Sequence, residues 1–277
     1  EGVTATVDDK LRIAQQLDLL GVQFIEGGWP GANPKDVEFF QRAQQELHLT
    51  TSTLVAFGST RRPRGRSDDD ATLRNLLGAN TPAVCIVAKS SEYQVVEALQ
   101  TTLDEGVAMI ADSVEFLQGE GRQVLVDLEH FFDGYRKNPE FSLRAIEAAV
   151  VNGATHLVLC DTNGGTLPHE VGQIIADVRS HVGDDAVIGI HCHDDTGCAV
   201  ANSIAAVEAG ARHVQGTLNG LGERTGNTNL STVIPNLQLK MGYQCLPEGR
   251  IQRLTSVSHH VAETLNRAVD PQAPFVG

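Results

Sequence analysis

Residues 155–194, "THLVLCDTNGGTLPHEVGQIIADVRSHVGDDAVIGIHCHD", contain the pattern from which the architecture can be derived. Short apolar runs stand at the two ends (155–165 and 186–194), and a longer helical pattern separates them. Each run closes on Gly, Asn or Asp, which is typical of strands buried on both faces of a parallel sheet. A strand, a helix and a second parallel strand form one βαβ unit. This stretch therefore predicts an α/β protein.

The same unit repeats along the chain, which carries seven such runs separated by amphipathic stretches. The five runs outside the quoted stretch are 22–28, 50–58, 82–89, 122–132 and 213–222. Alternation of this regularity predicts a parallel sheet with helices outside it. A (β/α)8 TIM barrel takes about 250 residues, which fits a chain of 277. We therefore predict a TIM barrel.

One strand of this barrel is missing, because eight are required and the chain opens on a helix. Thr6 and Asp9 stand three positions apart before that helix, as in a capping box. We predict that the first strand lies upstream of Glu1 and is absent from this chain, and a seven-stranded variant is the alternative. The barrel domain is assigned to residues 1–245.

The remaining residues, 246–277, are predicted to begin a linker or subdomain. Residues 250–269 have the pattern of an extra C-terminal helix, and the last eight residues, "DPQAPFVG", are expected to form an extended tail. A chain that stops at such a tail is expected to be part of a longer protein.

Composition narrows the choice of partners. A formal net charge of −14 argues against a nucleic-acid backbone as partner, which requires a basic footprint. No apolar run approaches the ~20 residues of a membrane span, so no membrane association is expected. The five cysteines have no paired spacing, which favours a reducing cytoplasm over a disulfide framework. We expect a cytoplasmic protein that acts on small molecules.

His191 and His193 are the first candidate site residues. Side chains alternate along a strand, so the two imidazoles point the same way. On spacing alone, a shared divalent cation and a hydrogen-bonded structural pair are equally supported. The position favours the metal, because chemistry in a TIM barrel gathers at the carboxyl ends of the strands. Imidazole with carboxylate and water suits Zn, Mn, Fe or Co.

Three other strand ends carry polar residues. Glu129 ends an apolar run, where it is either a general base or a charge paired with an arginine. The hydroxyl of Thr162 can donate to a substrate carboxylate, although the segment also suits the start of a helix. Glu26 ends another run and precedes a Gly-Trp-Pro-Gly turn.

Two loops complete the candidate site. "NGLGERTGN" (219–227) can present Glu223 and Asn227 near a ligand, or it is an ordinary loop in which Asn227 or Thr228 caps the next helix. "GSTRRPRGRSDDD" (58–70) carries four arginines. These arginines either attract the phosphates of a nucleotide-bearing substrate or belong to a solvated loop.

Six segments, in order, resemble the acyl-CoA-condensing metal-dependent TIM barrels, which include the 2-isopropylmalate, homocitrate and (R)-citramalate synthases. The likeness is strongest to the branch related to citramalate synthase and covers nearly all of the chain. The segments are "IEGGWPGANPKD", "GSTRR", "EHFFDGY", "LCDTNGGTLPHEV", "HCHDDTGCAVANS" and "NGLGERTGNTNL".

The resemblance implies a role for each candidate residue. His191 and His193 match the two metal-binding histidines, and Asn227 matches the asparagine near the metal, which is expected to be Zn, Mn, Mg or Co. Glu129 matches the glutamate of acid–base chemistry. The resemblance also implies three substrate contacts. Thr162 is expected to hold the 2-oxo acid carboxylate. Glu26 is a second contact, and Glu223 is expected near the metal and the acyl-CoA.

Two departures from the family pattern stand out. The family's other metal ligand is the aspartate of an Arg-Asp-Gly or Arg-Asp-Glu motif on the first strand, whose arginine stabilises an enolate, and this chain lacks that strand. The family usually has His-Asn-Asp where this chain has His193, Asp194 and Asp195. Asp194 therefore adds a negative charge whose effect the sequence leaves open.

The implied reaction is an acyl transfer in amino-acid biosynthesis, in which acetyl-CoA condenses with a short 2-oxo acid, first pyruvate. A homodimer is expected, because in this family a subdomain of the partner subunit assists the chemistry. The alternatives are a metal-dependent acyl-CoA lyase or aldolase with the same barrel, and a non-catalytic barrel that binds a 2-oxo acid.

Overall fold

A computed structural model describes residues 2–183 and 186–277. Seven parallel strands form one sheet, and each strand pairs with the next one along the chain. The strands are β1 (Phe24–Glu26), β2 (Thr53–Ser59), β3 (Ala83–Lys89), β4 (Gln123–Glu129), β5 (His156–Asp161), β6 (Val187–Cys192) and β7 (His213–Gln215). The seven predicted runs all contain a strand, and their Gly- and Asn-rich ends become loops.

Helices connect successive strands and cover the outside of the sheet. They are α1 (Val7–Leu20), α2 (Pro34–Glu46), α3 (Ala71–Gly78), α4 (Leu103–Gly119), α5 (Phe131–Lys137), α6 (Pro139–Val151), α7 (Pro168–Val182), α8 (Ala199–Glu208), α9 (Leu230–Pro235) and α10 (Leu254–Thr264). Short 3-10 turns occupy Ser67–Asp69, Leu218–Gly220 and Arg250–Arg253, and π turns occupy Gln94–Ala98 and Asn236–Lys240. Because every crossover contains a helix, neighbouring strands run parallel.

The first helix begins at the predicted capping box. The Thr6 hydroxyl accepts from the Asp9 amide at 3.1 Å, and the Asp9 carboxylate accepts from the Thr6 amide at 2.9 Å. These two bonds satisfy amides that the first turn of a helix leaves without intrahelical partners. Gly21 ends α1 in the left-handed conformation, at φ 95°.

The sheet curls into a TIM-type barrel that starts at the second strand of the complete fold. Strands β1 and β7 are its two edges, and their side chains meet across the interior: the rings of Phe24 and His213 are 5.6 Å apart. Gln215 Nε2 also lies 3.3 Å from Glu26 Oε1. Because no strand joins the two edges in the described residues, the gap between them is where an eighth strand is expected.

Alternation along each strand separates the core from the barrel interior. On β4, Val124, Val126 and Leu128 are fully buried against the helices. Their neighbours on the same strand face inward: Leu125 contributes to a small apolar cluster, and Asp127 and Glu129 follow toward the carboxyl end. The interior therefore changes from apolar at its amino-terminal end to polar at its mouth.

The C-terminal segment packs on the barrel rather than extending from it. Helix α10 contacts α1, and Val276 is 2% exposed within an apolar cluster that includes Leu20 and Val261. Residues 270–277 form turns, so the expected extended tail is wrong as a description of conformation. Burial of the apolar Val276 side chain against these helices is more favourable in free energy than leaving it in water.

In residues 2–183 and 186–277, the structure contains no helix that is long and apolar enough to cross a membrane.

Candidate active site

His191 and His193 lie at the carboxyl end of β6 and face the same side, as alternation predicts. Their ring centroids are 5.3 Å apart and the ring planes are inclined by 33°. His191 belongs to the strand itself, and His193 is the first residue after the strand and is 8% exposed. Two imidazoles this close are placed to share one small ligand.

Asn227 joins the two histidines. Its backbone forms an isolated antiparallel bridge with His193, and its Nδ2 lies 2.9 Å from His191 Nε2. The loop approaches closely only because residue 222 is glycine: a Cβ atom at Gly222 would overlap the Asn227 side-chain oxygen. Asn229, rather than Asn227 or Thr228, caps α9 by accepting from Ser231 N at 2.9 Å. Asn227 is therefore part of the cluster and not a helix cap.

The chemistry of this cluster fits a divalent cation. The Nδ1 atom of His193 is buried and has no hydrogen-bond partner among the described residues. Burial lowers the pKa of His193, and the nearby Arg224 guanidinium adds to this effect, which favours the neutral ring. A neutral imidazole is the form that binds metal. An orphaned ring nitrogen beside a second imidazole suits a divalent cation such as Zn or Fe, for which histidine is a common ligand.

The two aspartates after His193 have structural partners. Asp194 Oδ1 accepts from Ala199 N at 2.8 Å, at the first residue of α8. Asp195 accepts two bonds from Arg224, from Nε and one terminal nitrogen, each of 2.8 Å. The Asp194 carboxylate therefore has a structural role at the start of α8.

Glu129 ends β4 beside Lys89, which is its register partner on β3. The Lys89 ammonium pairs with Glu129 Oε2, and both side chains are about a quarter exposed, at 28% and 25%. Glu129 therefore pairs with a positive charge at the strand end, as the second alternative expected, but the partner is a lysine and not an arginine. Partial exposure at the barrel mouth leaves the carboxylate accessible to a substrate.

Thr162 follows β5 and is linked to its neighbours at both ends. Its hydroxyl oxygen accepts from His130 N at 2.8 Å, and its carbonyl oxygen accepts from Arg224 at 2.8 Å. Since the hydroxyl oxygen already accepts a bond, the hydroxyl hydrogen is the group that remains to donate. Helix α7 begins only at Pro168, with Leu167 as its N-cap. Thr162 is therefore not a capping residue.

Glu26 ends the edge strand β1 and lies 3.3 Å from Gln215, on the interior side of the barrel. Burial, followed by the negative charge of Asp127, raises the pKa of Glu26 above its ordinary value. Part of its surface is nonetheless exposed, because edge strand β1 borders the gap in the barrel. Solvent at that surface reduces the rise in the pKa of Glu26 without reversing it. Burial likewise raises the pKa of Asp127.

Glu223 is exposed in the loop after β7. Its carboxylate is 73% exposed and lies 3.7 Å from Arg224. Its charge acts on the His193 ring, raising the pKa of that ring against the larger effect of burial. The structure thus brings Glu223 near the cluster, but on its solvent side.

The arginine-rich loop divides into buried and exposed parts. Arg61 is 3% exposed and pairs with Glu105 and Asp112, both at 2.7 Å. Arg62 and Arg64 are exposed. The expectation of a wholly solvated loop is therefore wrong for Arg61, whose charge is neutralised by carboxylates of α4.

Several inward-facing residues were not assigned to the site from the sequence. Gln215 and Lys89 contact site residues, and Asp127, Cys85 and Cys160 lie beneath them. Two groups have ligand atoms close enough to hold a metal: Asp127 with Cys160 and His191, and Glu26 with Cys85 and Asp127. Alternation was the available signal, since each of these residues has an inward-facing neighbour two positions away.

Comparison with known proteins places this chain in a family. The profile of the HMGL-like family matches residues 1–261. The chain belongs to the HMGL-like family. Among curated relatives of this HMGL-like chain, the (R)-citramalate synthase of Streptomyces coelicolor is 53% identical over 277 residues. The 2-isopropylmalate synthase of Polaromonas naphthalenivorans is 34% identical over 281 residues.

These alignments cover 100% of the HMGL-like chain, but 52% and 53% of the two relatives. The chain therefore spans about half the length of the curated relatives it matches. Among solved structures, the HMG-CoA lyase of Bacillus subtilis superposes with a TM-score of 0.80, at 20% identity, over 99% of this chain and 92% of the lyase. At this identity the likeness concerns the fold, and it supports the TIM-type barrel.

Proposed function

We propose that this protein is an acyltransferase that condenses acetyl-CoA with pyruvate to form citramalate. The observation that carries the proposal is the convergence of His191, His193 and Asn227 at the carboxyl end of the barrel, beside Glu129 and Thr162. The 53% identity to an (R)-citramalate synthase supports the choice of pyruvate among short 2-oxo acids. A 2-isopropylmalate synthase-like reaction with 2-oxoisovalerate is next.

The cluster would hold a divalent metal through His191, His193 and Asn227. Once bound, the metal supplies Lewis-acid polarisation of the 2-oxo acid carbonyl. The hydroxyl of Thr162 donates to the substrate carboxylate, a charge-assisted bond that fixes the carbonyl carbon at the mouth. Glu223, on the solvent side, faces the acyl-CoA, and the exposed Arg62 and Arg64 attract its phosphates.

Glu129 is the proposed acid–base residue. In the condensation, the acetyl methyl loses a proton, its carbon bonds to C2 of pyruvate, and the C2 oxygen takes a proton. Water then cleaves the thioester and releases CoA. Lys89 holds the Glu129 carboxylate at the mouth, where a proton can be transferred to or from the substrate. Glu26 remains a predicted substrate contact from within the interior.

We also propose the assembly and setting that the sequence suggested. Residues 1–245 form the catalytic barrel and 246–277 lead into a linker or subdomain. An eighth strand fills the gap between β1 and β7 and adds an aspartate ligand and an arginine to the site. The working protein is a homodimer in the cytoplasm, since five free thiols without pairing suit a reducing compartment.

The test is release of free CoA thiol by the full-length protein from acetyl-CoA, with a panel of 2-oxo acids and with or without divalent metal. We expect metal-dependent release with pyruvate, with citramalate as product, and loss of release in His191→Ala. The matched control is His181→Ala, whose ring pairs with Glu147 on the surface, 2.6 Å away. Release with another 2-oxo acid but not pyruvate would refute the substrate assignment. If no 2-oxo acid gives thiol release and the protein cleaves an acyl-CoA substrate, the result would indicate a lyase.

A further inference from the structure

Gln215 connects the candidate metal ligand His191 to the carboxyl groups in the barrel interior. It lies on β7, directly opposite His191 in the register. Its Oε1 is 2.6 Å from His191 Nδ1, and its Nε2 is 2.8 Å from Asp127 Oδ1. The same Nε2 lies 3.3 Å from Glu26 Oε1. One carboxamide thus bridges a ring nitrogen on one side and two carboxyl oxygens on the other.

The neighbours determine which way the carboxamide faces. The Cys85 thiol donates to Asp127 Oδ1 at 3.2 Å, so this oxygen acts as an acceptor. An amide oxygen placed against it would repel it, whereas the amide NH2 group donates to it and to Glu26. The NH2 group therefore faces the interior, and the amide oxygen faces His191. This assignment follows from the hydrogen-bond network as a whole.

The orientation of Gln215 determines the tautomer of His191. An amide oxygen only accepts, so His191 Nδ1 must carry the hydrogen. The lone pair of the neutral ring is then on Nε2, which faces the mouth and lies 2.9 Å from Asn227 Nδ2. In a neutral histidine without such a partner, the opposite tautomer, with hydrogen on Nε2, is favoured in water, and that form has no lone pair facing the mouth.

We propose that Gln215 is a positioning residue that holds His191 as the Nδ1–H tautomer, with Asp127 as the group that orients the Gln215 carboxamide. The inference deepens the proposed function, since it concerns how a predicted ligand is prepared for a metal. Outer hydrogen-bond partners of this kind fix the orientation of a ligating ring, and their loss typically lowers metal affinity by about 10- to 100-fold.

The test separates the tautomer from metal binding. In the metal-free full-length protein labelled with 15N-histidine, two-bond 1H–15N spectra report which ring nitrogen carries hydrogen, and His191→Gln identifies the signals. We expect Nδ1–H in the wild type, a shift toward Nε2–H in Gln215→Leu, and Nδ1–H again in Gln215→Glu. In the last variant, a protonated carboxyl group can donate to Asp127 and accept from His191. Gln41→Leu, on the exposed face of α2, is the control.

The second measurement is the dissociation constant for Zn²⁺ or Mn²⁺ by competition with a chelator. We expect Gln215→Leu to weaken binding about 10- to 100-fold and Gln215→Glu to restore most of it. Nε2–H in the wild type, or an unchanged tautomer in Gln215→Leu, would overturn the inference. If the proteins show the expected tautomers but the wild type binds no metal, the inference stands and the proposed function is refuted instead.

Discussion

Side chains at the mouth of the barrel fall into two groups, those that face a ligand and those that hold other side chains. Thr162 and Glu129 expose groups to the mouth, while His130, Lys89 and Gln215 hold their neighbours by hydrogen bonds or charge. Preorganisation of this kind lets a site act without reorganising at the moment of reaction. Substitutions in the two groups should therefore have different kinetic consequences.

Glu129→Gln should lower kcat for thiol release by about 10²- to 10⁴-fold, because it removes the proposed proton-transfer group while preserving its shape. Glu115→Gln, on the exposed surface of α4, is the matched control. Steady-state kinetics with pyruvate give the result. A kcat within twofold of the wild type would remove Glu129 from the chemistry.

Thr162→Val should raise the KM for the 2-oxo acid about 10- to 100-fold, the range expected when one hydrogen bond to a charged group is lost. The KM for acetyl-CoA should change little, since the hydroxyl is assigned to the acid carboxylate. Thr255→Val, exposed on α10, is the control. Equal increases in both KM values would indicate a general distortion of the mouth rather than a lost substrate contact.

Helices and loops contribute mainly by anchoring the strand ends. The loop after β2 is fixed by Arg61, whose backbone amide donates to Ser113 at 2.9 Å while its side chain pairs with two carboxylates of α4. The segment before β2 is fixed by Asp18 of α1, which accepts from Thr51 and Ser52 amides at 2.8 Å each. Both anchors use polar side chains that are nearly buried.

Arg61→Met should lower the free energy of unfolding by about 2 kcal/mol, because the buried guanidinium loses its charge-assisted hydrogen bonds to Glu105 and Asp112, whose carboxylates are 23% and 50% exposed and stay partly solvated. Arg62→Met should change it by less than about 0.5 kcal/mol, since that side chain is exposed. Urea unfolding of both variants checks the difference. Similar stabilities for the two variants would contradict the assignment of Arg61 as an anchor.

Asp18 should make stability depend on pH. Burial opposes ionisation, but hydrogen bonds from Ser52, Thr50 and Thr51 outweigh it and lower the pKa to about 2 from 3.8. A lowered folded-state pKa stabilises the fold above the unfolded pKa and loses that contribution as pH falls toward the folded value. Asp18→Ala should therefore lower the free energy of unfolding by about 2 kcal/mol at pH 7.

The deficit in Asp18→Ala should shrink as pH falls from about 4 to about 2. Asp69→Ala is the control, because that side chain is 80% exposed. Urea unfolding across this pH range measures the effect. A deficit that stayed constant with pH would show that the ionised carboxylate is not the stabilising form.

For the molecule as a whole, apolar periodicity was sufficient to predict seven parallel strands and the common direction of His191 and His193. It was not sufficient for contacts set by register between strands. Gln215 and His191 are 24 residues apart, and their contact requires the pairing of β6 with β7. The pairing of Glu129 with a lysine depends in the same way on the register between β3 and β4.

Sequence patterns also did not predict which loop and tail side chains are buried. Arg61 stands among four loop arginines, and only the packing of α4 distinguishes it from its neighbours. The C-terminal tail likewise appeared extended because its burial depends on Val276 reaching a cluster formed by distant helices. Neither feature has a local periodic signal.

The first measurement to make is calorimetric titration of a divalent metal into the metal-free, full-length protein. We expect one bound ion per chain, loss of binding in His191→Ala and in His193→Ala, and wild-type binding in His181→Ala. Binding that survived both site substitutions would place the metal elsewhere and contradict the account of this barrel mouth as a metal-centred active site.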